Sequence, residues 1–547
     1  MGRPLAAAIH NLQVGQLWGR ITSNYRSLSP IVPQILTAIA ALLVSYLALR
    51  AIYNVYYHPL SKYPGPKLAA MTDLWWARAM VSGRYPWIIE AVIKRYGPVV
   101  RIAPNELVFL TPQAAKDIYL SQEKSMELFV LVGYDALDTG DGGIANETDP
   151  VRHRAIAKKL APAFSTRNLK AKEAPIYKHI DLFVQRMREH GGEGKGAEMR
   201  RWCDWLGLDL SADLTYGVDM GQMRNLKDSM LLTAAMKMNL VVTMSTITRK
   251  IPLLTPLTYL CIPPSILFLM PKLIRNNSQD VKDRIARRGK TDHLDYFEHL
   301  IPADADDKTG AALPHGTKKE LYTIENIAAQ LMLAGWQPVA GQFYALLLFL
   351  LGEATAYKTL VEEIRGAAAF KRYDDITLEA VGELKYLHAC VQESLRLHPE
   401  TGDGLPRVSP GAVIDGSYVP PGVVCQIAYF AAHRSERYFT DPLMFRPERW
   451  LKPDHPRYDA RYKDDDLRAS RPFSQGPRGC PGGAIASAVV RLFTARVLWE
   501  FDLEPGVPGP AGLPVFERDF RYMNTWDRRP ELWVKFKPVK EGLTARE

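Results

Sequence analysis

A chain of 547 residues that is 47% apolar and 23% charged can bury a large core, and it has no internal repeat or low-complexity tract, which excludes a disordered chain, a solenoid and a propeller. Its net charge of +10 fits an anionic membrane surface or an acidic protein partner; there is no zinc-ligand spacing and no basic base-reading helix, so nucleic acid is not an expected partner. Cysteines at 203, 261, 390, 425 and 480 form no CxxC pair, which argues against a disulfide framework or structural zinc and fits a reducing compartment.

Residues 1–30 read as an N-terminal tail. Ile31 to Leu49 is a run of nineteen residues without a charge, about long enough to cross a bilayer as a helix. With Ile52 beyond Arg50 it predicts a transmembrane anchor over 31–53, although a buried core helix is a second reading. Arg26 and Arg50 flank the run, and Tyr53, Tyr56 and Tyr57 suit the headgroup level. No small-residue cleavage site follows, so a removed signal peptide is not expected. His58 to Ala70 contains Pro59, Pro64 and Pro66, and the fixed φ of proline predicts a stiff hinge over 58–70 between anchor and body.

The body, 71–537, is followed by a short tail, 538–547. Helical periodicity predicts helices over 151–164, 175–190, 199–216 and 384–397, and a longest one over 323–351 with Thr323 as its N-cap. Short β-like pieces fall at 98–103, 106–110 and 413–418, so the fold class is mainly α with small β-sheets (α+β). The glycine-rich stretch 138–143 lacks the following Gly-Lys-Ser/Thr of a phosphate loop and the acid of a calcium loop, and reads as a loop. Residues 251–270 are apolar but carry Pro252, Pro256, Pro263 and Pro264, which argues against a spanning helix. This segment is either a loop packed on the core or one that dips into the headgroup region. Sequons at Asn146 and Asn276 stay unglycosylated if the body faces the cytosol.

The chemistry concentrates near the C-terminus. Phe473-Ser-Gln-Gly476-Pro-Arg478-Gly-Cys480-Pro-Gly482 has the form F-x-x-G-x-R-x-C-x-G. A thiolate ligand donates electron density to a haem iron and favours O–O cleavage. Gly476 and Gly482 let backbone amides approach the sulfur and tune it. Arg478 can pair with a porphyrin propionate, Phe473 can exclude water, and a helix starting at Pro481 brings its positive end to the thiolate. The plainer alternative is an inert cysteine in a glycine-rich turn. Glu393 and Arg396 lie three apart on one helix face, a spacing that alone signals only a surface ion pair. A second arginine, Arg449, follows in Phe445-Arg-Pro-Glu-Arg449-Trp450 and can reach the same carboxylate.

From about His58 to Lys537 this ordered set of motifs resembles the cytochrome P450 family, in particular its membrane-anchored fungal members. The resemblance implies the P450 fold and haem b (iron protoporphyrin IX), with Cys480 as axial ligand. It implies a structural triad of Glu393, Arg396 and Arg449 behind the haem, and propionate contacts from His153, Arg407 and, less directly, Lys158, since Ala157 stands where the family's arginine would be. It further implies a lipophilic small-molecule substrate in secondary metabolism, and single-pass anchorage in the endoplasmic reticulum membrane with the body in the cytosol. Electrons would come from NADPH through a separate acidic flavoprotein, NADPH-cytochrome reductase, since this chain has no flavin or nicotinamide motif. Arg154, Lys158, Lys159, Arg471 and Arg491 suit its docking, though each is also an ordinary solvated charge.

One motif departs from the family. Where A-G-x-(D/E)-T should relay protons during oxygen activation, this chain reads Ala334-Gly335-Trp336-Gln337-Pro338. Gln337 can hydrogen-bond but supplies no proton at neutral pH, and Pro338 has no hydroxyl. Proline deletes the bond to the Ala334 carbonyl and keeps a local opening of the helix, or merely bends it. The expectation is an oxidase that uses substrate hydroxyls or water as proton source, or one that favours cyclisation, coupling, desaturation or peroxide rearrangement over simple hydroxylation. A reductase-independent peroxide isomerase or lyase is the first rival reading, and a haem-based sensor or carrier the second.

Overall fold

The computed structural model describes residues 31–124, 126–133, 142–300, 318–400, 402, 404–507, 512–523 and 526–539. The 1–30 tail, residues 138–141 of the glycine-rich stretch and residues 540–547 lie outside the described residues. Helix α1, Ile31–Tyr56, extends one turn beyond the expected anchor. Residues 33–50 are exposed throughout, and the helix is long and apolar enough to cross a membrane. Its foot is tied to the body: buried Asn54 donates to the Met71 carbonyl at 3.3 Å, and its own carbonyl accepts from Arg101 Nη1 at 2.6 Å.

The proline-rich segment after α1 is a strap against the body. Leu60 is fully buried, the Pro64 carbonyl accepts the Arg101 N–H at 2.8 Å, and a short helix follows at Lys67–Met71. Gly65 makes this possible, because a Cβ there would overlap the Arg101 carbonyl. The strap lies along strand β1 (Val99–Ala103), which begins a five-stranded sheet with β2 (Glu106–Phe109), β3 (Val130–Leu131), β4 (Arg407–Val408) and β5 (Val424–Ile427) in the order β1-β2-β5-β4-β3. Only β2 and β5 pair in parallel. The strand expected over 413–418 is instead a hairpin, Ala412–Ile414 and Ser417–Val419, because Asp415 and Gly416 (φ 46° and 78°) form the two-residue turn that such a pair favours.

The rest is mainly helical. Helix α2 spans Pro150–Leu160, with Asp149 as N-cap and Pro150 at its first position, and a 3₁₀ turn carries it to Phe164. Helices α3 (Glu173–His190) and α4 (Met199–Tyr216) follow close to their expected bounds. Next come α5 (Met230–Lys250), α6 (Thr255–Leu260) and α7 (Pro264–Ala286). The segment 251–270 is therefore not a loop: Pro252, Pro256 and Pro264 sit in first helical turns, where proline costs no hydrogen bond. One face of it packs on the core through Ile251, Leu254, Cys261 and buried Ile266, while Leu253, Tyr259, Leu260 and Phe268 on the other are 71–84% exposed.

Helix α8, Lys318–Gly352, threads the core and starts five residues before the expected Thr323 cap. Pro338 lies inside it without ending it. Helix α4 crosses it closely: a Cβ on Gly335 would come within 2.5 Å of Ser211 Oγ, which donates to the Met332 carbonyl at 2.7 Å. Helices α9 (Lys385–Leu397) and α10 (Gly483–Glu500) complete the frame around the site.

Candidate active site

Cys480 sits in a loop whose backbone is bent before α10. Gly476 has φ 80°, and a side chain there would overlap the Tyr119 carbonyl. The Cys480 N–H donates to the Phe473 carbonyl at 2.9 Å. Helix α10 begins at Gly483, two residues later than expected, with Gly482 as its N-cap. The delay has a use: burial pushes the Cys480 thiol up overall, and the N–H groups of Gly482 and Gly483, directed at the sulfur, oppose it. Cys480 is exposed, while Cys203, Cys390 and Cys425 are buried. The Phe473 ring lies against Gly483, whose added Cβ would meet it at 3.0 Å, a requirement the motif alone did not show. Two further aromatics border the loop: Phe164 stacks on Tyr296 at 4.8 Å, and Phe164 faces Gly482.

A basic cluster brings three expected residues together. His153 on α2, Arg407 on β4 and Arg478 are all nearly buried. Arg478 Nε donates to Glu127 at 2.6 Å, and its Nη1 has no hydrogen-bond partner among the described residues. Arg407 lies over the Tyr119 ring at 5.5 Å and donates to its neighbour Pro406 at 3.4 Å. Burial, then the charges of Arg478 and Arg407, push the His153 imidazole down to about 4, although Glu127 opposes them. Two guanidiniums against one carboxylate leave a buried positive site with an unused donor, which fits the carboxylates of a porphyrin. Lys158 does not join it. Five residues from His153, it lies about 140° around α2 and is exposed, as are Arg154, Lys159 and Arg471; Arg491 is half-buried. Glu127 carries no sequence signal, and only the fold reveals it.

The charge triad is closed. Arg396 grips Glu393 with Nε and Nη2 at 2.8 and 2.7 Å, and Arg449 Nε reaches the same carboxylate at 3.0 Å. The Arg446 N–H and the Trp450 indole N–H complete it, each at 2.9 Å. The remaining guanidinium donors bind the carbonyls of His433, Pro442 and Met444 for Arg396, and Asp465 and the Thr440 carbonyl for Arg449. Burial alone would raise the Glu393 carboxyl, yet Arg396 and Arg449 hold it below its ordinary value.

On α8, Ala334 and Pro338 share one face, where Ala334 is exposed in the middle of an otherwise core helix and Pro338 is half-buried. Gln337 is buried, one residue and hence about 100° away. The two atypical residues therefore do not face the same space. A residue that sequence reasoning missed, Glu400, meets this helix from the segment after α9: a Cβ on Gly341 would lie 2.9 Å from its Oε1.

Comparison with known proteins identifies a family. The family model "Cytochrome P450" matches residues 65–512. The chain is 43% identical over 510 residues to the cytochrome P450 monooxygenase TwmD of Talaromyces wortmannii, covering 93% of this chain and 97% of that one. It is 34% identical over 537 residues to the cytochrome P450 monooxygenase atr2 of Stereocaulon alpinum, covering 95% and 98%. It is 32% identical over 504 residues to the cytochrome P450 monooxygenase btcC of Colletotrichum orbiculare, covering 90% and 92%.

Proposed function

Because the chain belongs to the cytochrome P450 family, a family of haem enzymes, we propose that this monooxygenase oxidises a lipophilic small molecule in fungal secondary metabolism, with Cys480 as the axial ligand of its haem. The observation that carries the assignment is the pairing of an accessible sulfur, faced by two backbone N–H groups, with a buried basic cluster that keeps an unused guanidinium donor. When bound, haem b supplies reductive activation of dioxygen.

The protein's own residues set the conditions. The amides of Gly482 and Gly483 stabilise negative charge on the sulfur, and Phe473 shields the loop from water. Arg407 and Arg478 would hold the propionates of a bound haem, with His153 beside them. The triad pins α9 to the segment around Arg449, which leads into the cysteine loop. Pro338 has no N–H, so the Ala334 carbonyl lacks its usual helical donor on the accessible face and can accept a hydrogen bond from substrate or water.

Anchorage by α1, together with the exposed apolar residues of α6 and early α7, supports residence on a membrane, the endoplasmic reticulum with the body in the cytosol. Exposed Arg154, Lys158, Lys159 and Arg471 suit the docking of an acidic, NADPH-fed flavoprotein reductase. The altered α8 motif favours cyclisation, coupling or desaturation over simple hydroxylation. It also permits the rival reading, a peroxide isomerase or lyase. Co-expression with a reductase separates them: the proposal expects a thiolate-type reduced carbon-monoxide spectrum and NADPH-dependent product from candidate lipophilic precursors. Product formed equally without NADPH favours the rival.

A further inference from the structure

We propose that Glu400 supplies the acid that the helix motif lacks, delivering protons to the oxygen-activating face of α8; this rests on the haem-thiolate reading above. Ala334, Pro338, Gly341 and Ala345 stand at i, i+4, i+7 and i+11 and so form one stripe along the helix. The Glu400 carboxyl lies against this stripe at Gly341, where a Cβ would overlap Oε2 and reach Oε1 at 2.9 Å. Three residues separate Gly341 from Pro338, a rise of about 4.5 Å. The carboxyl therefore sits one turn from the position where the family places its alcohol, and it is brought there by a different element.

Hydrogen bonds from three elements fix the segment that carries it. Glu400 follows Pro399, whose carbonyl accepts the Tyr522 hydroxyl at 3.0 Å. His398 Nδ1 is 3.7 Å from Glu400 Oε2. The His398 carbonyl accepts from Gln342 Nε2 at 2.8 Å, and Gln342 Oε1 accepts from Ser394 Oγ at 3.0 Å. Side chains from α8 and α9 thus hold the segment, and the Glu400 side chain is 12% exposed.

Monooxygenation consumes one O2, two electrons and two protons; one oxygen atom enters the product and the other leaves as water. The electrons come from the reductase. Glu400 in its acid form gives up one proton, becomes a carboxylate, and is reprotonated from solvent for the second. Neither Gln337 nor Pro338 can do this.

The test uses the full-length haem-loaded enzyme with its reductase and three variants. Glu400→Gln keeps shape and removes the acid. Glu400→Asp restores an acid. Gly341→Ala pushes the carboxyl off the stripe while adding a better helix former. Glu400→Gln and Gly341→Ala are expected to keep the carbon-monoxide spectrum and thermal midpoint, lower product per NADPH by about tenfold or more with peroxide rising in step, and enlarge the solvent deuterium isotope effect. Glu400→Asp recovers part of the loss. A readout without turnover is the infrared difference spectrum on photolysis of carbon monoxide from the reduced protein: a D2O-sensitive carboxyl band is expected in wild type and absent in Glu400→Gln. Unchanged coupling in Glu400→Gln, a rise in KM alone, as for a substrate contact, or no such band overturns the inference. A wild-type protein without the thiolate-type spectrum overturns the haem reading instead, so the two failures are distinguishable.

Discussion

Two buried charge clusters serve this part of the molecule, and they differ in what they leave unused. Around Glu393 the guanidiniums of Arg396 and Arg449 spend their donors on protein oxygens. Around His153, Arg407 and Arg478 there is one carboxylate, Glu127, and an arginine nitrogen with no protein partner among the described residues. A closed cluster fixes a fold, whereas an open positive one waits for an anion.

The sharpest way to break this contrast is Glu393→Ala. It strands two buried guanidiniums, so a loss of about 3–5 kcal/mol is expected, enough to abolish soluble, haem-loaded protein; chemical denaturation of whatever protein is recovered measures it. Arg407→Met should act in the opposite way. Removing a cation from the open cluster leaves the thermal midpoint of the haem-free protein no lower, while haem transfer to a scavenger accelerates about tenfold, the worth of one charged hydrogen bond.

A smaller effect concerns acid. Burial, and then Arg396, push His433 down to about 3, and its Nε2 accepts the Arg471 N–H at 3.0 Å, which requires a neutral ring. Since the unfolded pKa is near 6.5, the unfolded chain binds more protons below that value. The stability this ring contributes is complete above about pH 6.5 and declines as pH falls toward 3. His433→Gln should flatten that part of a plot of thermal midpoint against pH. The smallest effect expected is from Pro338→Thr. If Glu400 supplies the protons, restoring the hydroxyl changes the ratio of peroxide to product less than Glu400→Gln does.

Most of the site was readable in the sequence because its parts are local. Phe473 to Gly482 is one loop, and Glu393 and Arg396 are neighbours on one helix turn, so spacing alone constrains them. Long-range partners were not readable: Glu127 meets Arg478 across 351 positions, and no periodicity connects them. Lys158 was misplaced because adjacency to Ala157 in sequence becomes about 100° around α2. The 251–270 segment was read as a loop because prolines that start helices are indistinguishable in sequence from prolines that break them. Glu400 escaped because an acid was sought inside α8, and the fold brings it from the segment after α9 to a glycine that makes room.

The proposed function rests on the Cys480 sulfur as ligand of the haem iron. The most direct test is the reduced carbon-monoxide difference spectrum of wild type and Cys480→Ser, with haem content measured alongside. A thiolate-type band is expected in wild type and is lost in Cys480→Ser; a variant that keeps that band overturns the assignment of Cys480.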